Sequence, residues 1–199
     1  LLAANKLSAK FNVIDLYNED YKLIGLGVSN GICKMLTDSE GNPNYIFWNK
    51  SDSSGGSLSI NLEKVVLEKM EYLYLDYSTD IAIGSLINQL DLKGNFANSV
   101  FDLELKSTIE SANIQVDELL ILEEQNLKLS ILGNVNQEEE SLNFTNANVT
   151  VDEMDIGVAG RLNYGKASNV DFLLNSQNTD LEKAIALLPL SIRNKLTRF

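Results

Sequence analysis

Over much of this chain the apolar residues fall at every second position. Leu7, Ala9, Phe11 and Val13 alternate with polar neighbours, as do Leu58, Ile60 and Leu62. The pattern returns at Leu86, Leu90 and Leu92, at Phe101, Leu103 and Leu105, at Leu127, Leu129 and Ile131, and at Ile156, Val158 and Leu162. Alternation with period two turns one face of a strand to the interior and the other to water. Parallel strands buried on both faces would read as unbroken apolar runs instead. The chain is therefore expected to be mainly β, antiparallel, with hairpin connections and one wet face per strand.

Turn chemistry agrees. Asparagine sits beside glycine at Gly41-Asn42, Gly94-Asn95 and Gly133-Asn134, residues that tolerate the backbone of tight turns. A Ser/Gly-rich stretch at about 51–57 reads as a flexible loop, and Gln137 to Glu140 as an exposed one. A glycine-then-apolar motif recurs near Gly94, Gly133 and Gly160 at irregular spacing, which suits a meander of similar strands better than a strict repeat. Only 179–199 has helical spacing. Thr179 and Glu182 form a capping box, Leu181, Ile185 and Leu188 share one stripe, and Pro189 ends it. Ile192, Leu196 and Phe199 line a second short helix.

Composition narrows the chemistry. The 199 residues carry 16 Lys plus Arg against 28 Asp plus Glu, a net charge of −12, with no histidine, one cysteine and two prolines. Such a chain is a poor partner for nucleic acid, whose affinity is built from clustered cations. It offers no His-based triad or zinc site and no internal disulfide. Few prolines suit long strands. The longest apolar run, Ala184 to Leu190, falls short of the roughly 20 residues that a membrane helix needs. Starting at Leu1 suggests a piece of a longer protein.

Carboxylates are the plentiful reactive groups, so a two-acid glycosidase is the enzyme to test, with Asp76 among Tyr72, Tyr74 and Tyr77 as its one candidate centre. Alternating aromatics on a strand explain the same residues. Asp38 to Asn44 has a superficial likeness to a calcium loop, but its glycine stands fourth rather than sixth, and an Asx-rich turn accounts for it. Cys33 reads as a small packed side chain. No catalytic residue, metal site or cofactor is expected.

An ordered series of β features remains. Val28 to Ile32 leads through Asp38 to Asn44 into Tyr45, Ile46, Phe47 and Trp48, then the Ser/Gly loop, then Leu58 to Val65. Glu71 to Tyr77 follows, then a strand reaching Leu90 to Gly94, and finally Leu187-Leu188-Pro189. This order resembles the periplasmic part of the AsmA-like family, the relatives of TamB, over most of the chain from about Val28 to Phe199. The resemblance implies a bridge-like lipid-transfer protein. In that class a long antiparallel sheet curls into an open, taco-like groove, a half-barrel lined by apolar side chains.

On that resemblance residues 1–199 form a single β-groove segment, with the helices at 179–199 covering or extending one end. The parent protein is anchored in the bacterial inner membrane, and the segment is periplasmic. The ligand is phospholipid or another acyl-chain lipid, moved towards the outer membrane or held in balance there. Leu86, Leu90, Leu92, Phe101, Leu103, Leu105, Leu127, Leu129 and Ile131 then line the groove. Asp91, Lys93, Asp102, Glu104 and Lys128 face water. The alternative is a closed β-sandwich, an adhesion or carbohydrate-binding module of a surface protein, whose core the same leucines would fill.

Overall fold

The computed structural model describes residues 1–12, 22–45, 59–164 and 169–176, with 17, 185 and 193 as single positions. Nine strands make up its regular elements: β1 (Leu2–Phe11), β2 (Lys22–Thr37), β3 (Ser59–Asp76), β4 (Ile81–Lys93), β5 (Val100–Val116), β6 (Leu119–Asn136), β7 (Ser141–Val151), β8 (Met154–Asn163) and β9 (Asn169–Asn175). They lie side by side in one sheet in sequence order. β1 and β9 are its unpaired edges among the described residues, so the sheet is open and does not close into a barrel. The loop expected at 51–57, the end of the first expected strand at Val13 and the helices expected at 179–199 lie outside the described residues, Ile185 and Arg193 apart.

One pairing differs from the all-hairpin expectation. β2 and β3 run parallel, from Lys22 beside Ser59 to Thr37 beside Asp76. A parallel pair needs a long return connection, and 38–58 provides it. The return opens on an Asx turn in which Asp38 Oδ1 accepts from the backbone N–H of Glu40 (2.9 Å) and Asn42 (2.8 Å). Pro43 then bridges back to Thr37, and the Tyr45 ring lies 6.4 Å from that of Tyr74 on β3.

Four of the five connections in the meander from β3 to β8 use two turn designs, each twice; the fifth, 94–99, is longer. At 77–80 and 137–140 the last strand residue folds its side chain over the turn. Asp76 Oδ1 accepts from Ser78 and Thr79 N–H, and Asn136 Oδ1 from Glu138 and Glu139 N–H. The closing residues Asp80 and Glu140 take φ of 51° and 49°. The tighter turns are both Asp-Glu after valine: Val116-Asp117-Glu118-Leu119 and Val151-Asp152-Glu153-Met154, with φ of 52° at Asp117 and 51° at Asp152. Aspartate tolerates this left-handed backbone better than most residues.

The two buried apolar clusters lie on one side of the sheet. Val28, Met70 and Ile87 form one buried cluster, and Ala112, Leu127 and Val151 another; Ile109 packs against both. Met70 is 1% exposed and Val28 2%. Cross-strand partners share a face of the sheet, and following the pairings puts every one of these residues on the same side. Ser107, a buried polar residue in their midst, donates its hydroxyl to the carbonyl of Gln89 at 2.9 Å.

Candidate functional site

The most continuous feature of this molecule is that apolar face. Reading across the hydrogen-bonded partners, one row runs Ala9, Leu26, Val65, Leu92, Leu105, Ile131, Ala147, Val158, Leu174. It places one apolar residue on each of the nine strands without a break. At about 4.8 Å between strands the row is roughly 38 Å long. The next row, Leu7, Val28, Leu67, Leu90, Ser107, Leu129, Val149 and Ile156, has Ser107 as its one polar member. A third joins Met70, Ile87, Ile109, Leu127, Val151 and Met154.

Towards the other end, Phe101, Val135, Leu142, Leu162 and Val170 make a further row. Between it and the nine-residue row, Gly133 and Gly160 leave space for larger neighbours. Phe144 and Phe172 both pair with Gly160, and their rings meet edge to face at 5.1 Å. Gly160 has φ of 137°, and a Cβ there would collide with the carbonyl oxygen of Asp171, so no other residue fits.

The opposite face is mostly polar over the same strands, with Leu132 and Leu173 exposed on it. Behind the nine-residue row stand Ser8, Gly27, Val66, Asp91, Lys106, Ser130, Asn148, Gly157 and Asn175. Lys64 pairs with Asp91 at 2.8 Å, and Glu104 with Lys106 at 2.9 Å and Lys93 at 3.2 Å. These lysines, Lys106 first and then Lys93, hold the Glu104 carboxyl below the usual glutamate value.

Eight of the nine residues singled out as groove-lining lie together on the apolar face: Leu90, Leu92, Phe101, Leu103, Leu105, Leu127, Leu129 and Ile131. Asp91, Lys93, Asp102, Glu104 and Lys128 stand on the other. Leu86 departs from the set. It pairs with Glu71 and Glu110, points to the polar side and is 42% exposed. The cause is an extra residue, Asn88. Ile87 pairs with Ile109 while Gln89 pairs with Thr108, so Asn88 has no counterpart on β5 and the alternation slips by one. Ile87 takes the buried position instead.

The same slip occurs on neighbouring strands, and each has a mark in the sequence. Two polar residues in a row stand between two interior positions at Asn5-Lys6, Ser29-Asn30, Glu68-Lys69, Asn88-Gln89, Glu110-Ser111 and Glu123-Glu124. Asn30, Lys69, Ser111 and Glu124 carry positive φ there, between 51° and 58°. Residues such as Val28, Met70 and Ile87 are therefore missed by strict counting in twos, yet flanking polar doublets point to them.

Asp76 is a turn cap. Its Oδ1 accepts from Ser78 N–H, Ser78 Oγ–H and Thr79 N–H, and its Oδ2 from the Tyr74 hydroxyl at 3.1 Å. Those bonds, Ser78's hydroxyl foremost, hold its carboxyl below the usual aspartate value. Burial, and then the bond to Asp76, push the Tyr74 phenol up to about 12. Tyr72 lies on the same side, among the residues packed on Val28 and Met70, while Tyr77 is exposed in the turn. Cys33 packs in that cluster too, and burial raises its thiol. A hollow of about 950 Å³ opens between the Asp76–Ile81 and Val116–Leu119 turns, but it is shallow and rimmed by Asp80, Asp117 and Glu118. Among the described residues no group of three or more Cys, Asp or Glu is placed to hold a metal ion. Among the described residues no helix is long and apolar enough to cross a membrane.

No protein-family model, no curated protein and no solved structure matches this chain.

Proposed function

We propose that this chain is a non-enzymatic, lipid-binding β-segment of AsmA-like type, periplasmic and carried by an inner-membrane-anchored parent. Its apolar face shields acyl chains while phospholipid moves towards the outer membrane. The observation that carries this reading is the nine-residue apolar row across an open sheet, backed by a polar face. A catalytic site needs a few placed polar groups, whereas a conduit for hydrocarbon needs continuity. The row, at about 38 Å, exceeds the roughly 30 Å thickness of a bilayer's hydrocarbon core. Each CH₂ taken out of water on such a surface contributes about 0.8 kcal/mol.

The test is organic extraction of the purified protein followed by mass spectrometry. Phospholipid is expected in the extract, reduced in Leu103→Asp and Leu129→Asp and retained in Ser130→Asp. Folded protein free of lipid, with no uptake from labelled vesicles, would overturn the reading. A carbohydrate-binding role rests on the Tyr45 and Tyr74 rings beside Asp76. Glycan-array binding that disappears in Tyr74→Ala would favour it.

A further inference from the structure

We infer that the sheet is built to continue from one copy of this chain into the next, β9 of one copy pairing with β1 of another. This rests on the two edges and stands whatever the apolar face binds.

Among the described residues neither β1 nor β9 has a partner on its outer side. Nearly every residue of β1 and all of β9 are exposed, and neither strand contains proline. Unpaired edges of this kind are templates for another strand. The apolar face also reaches both of them: Leu7 is 66% exposed and Leu174 61%. Hydrophobic surface left at an edge has a use if a further strand extends it.

Direction and charge select the partner. Following the pairings across the sheet, β1 runs antiparallel to β9. A second copy in the same orientation therefore meets β9 with an antiparallel β1, and its apolar face continues the first copy's without inversion. With the rows in line, Ala9 of the second copy stands beside Leu174 and Phe11 beside Phe172. Lys10 then stands diagonally across from Asp171 on the polar face, within reach of a cross-strand pair.

β1 carries Lys6 and Lys10 and no acid. The far side of the sheet, over 137–164 and 169–176, carries seven acids against Arg161 alone. Pairing β1 with a second β1 would set lysine against lysine; pairing it with β9 sets lysine against carboxylate. The lysines thus block one association while favouring the other.

Sedimentation velocity of the full chain, at low and high salt across a wide concentration range, tests this. Species beyond a dimer are expected, because a head-to-tail contact leaves a free edge at each end, and they should dissociate as salt rises. Lys6→Glu with Lys10→Glu should weaken association at least tenfold, as should Asp171→Lys. All three changes in one chain should restore it. Lys6→Gln with Lys10→Gln, which removes charge without reversing it, should weaken association less and serves if the reversal disturbs folding. A monomer at every concentration, a dimer that grows no further, or assembly indifferent to these changes would overturn the proposal.

Discussion

The two faces of this sheet are built from alternate residues of the same strands, and they obey different rules. The apolar face keeps one residue class through nine consecutive strands, from Ala9 to Leu174. The polar face one position along mixes serine, glycine, valine, asparagine and both signs of charge, from Ser8 to Asn175. Continuity is thus required on one side only. A side chain's fate depends on its phase in the strand more than on its own hydrophobicity, as the neighbours Leu86 and Ile87 make plain.

Adjacent residues are therefore natural controls. Leu127→Asp, which puts a carboxylate at a buried site in contact with Ala112 and Val151, should cost at least about 3 kcal/mol in urea denaturation or prevent folding. Lys128→Asp, one residue on, should stay within about 1 kcal/mol. Equal losses would erase the distinction between faces.

Ile87→Ser and Leu86→Ser sharpen it at the slip. Serine at Ile87 should cost about 3 kcal/mol, by lost burial and a stranded hydroxyl. At Leu86 the cost should be below about 1 kcal/mol. A reversed order would mean that Asn88 does not shift the alternation.

A third contrast concerns Asp76 and Glu104, both held below their ordinary values, 3.8 and 4.5. A carboxyl whose folded value is depressed contributes stability that is present above its unfolded value and fades as pH falls through the folded one. Stability should therefore decline from roughly pH 4 downward, less steeply in Asp76→Asn and Glu104→Gln. Because neutral donors hold Asp76 and lysines hold Glu104, added salt should raise the titration midpoint of Glu104 and leave that of Asp76 in place. Carboxyl NMR titration at two salt concentrations separates them. The smallest effect is Lys93→Ala, which removes one exposed ion pair and should change the unfolding free energy measured in urea by no more than about 0.5 kcal/mol.

Much of the sheet is legible in the sequence because burial on one face imposes period two directly. Leu90, Leu92, Phe101, Leu103, Leu105, Leu127, Leu129 and Ile131 share a face for that reason. Leu86 does not, because a single extra residue is invisible to a pattern counted in short windows. The polar doublets that mark such slips gain meaning only when several strands are set side by side. The parallel pairing of β2 with β3 is harder still: it joins segments whose own residues alternate just as antiparallel ones do, and it depends on where the 38–58 return delivers the chain. Tyr72 to Tyr77 are legible as a strand with alternating aromatics, but the cap that Asp76 makes on Ser78 and Thr79 is a property of the turn.

The β2–β3 seam also divides the molecule in time. Most joints after β3 are hairpins closed by a few residues, and even the longest connection there, 94–99, is short. The seam alone must wait for the 38–58 segment to close, and contacts between distant parts of a chain form more slowly than local ones. The strands from β3 onward are thus able to assemble as one zipper, with β1 and β2 arriving afterwards as a separate leaf. Pulsed hydrogen exchange during refolding should record that order, with the amides of Gly25 to Thr37 among the last to gain protection.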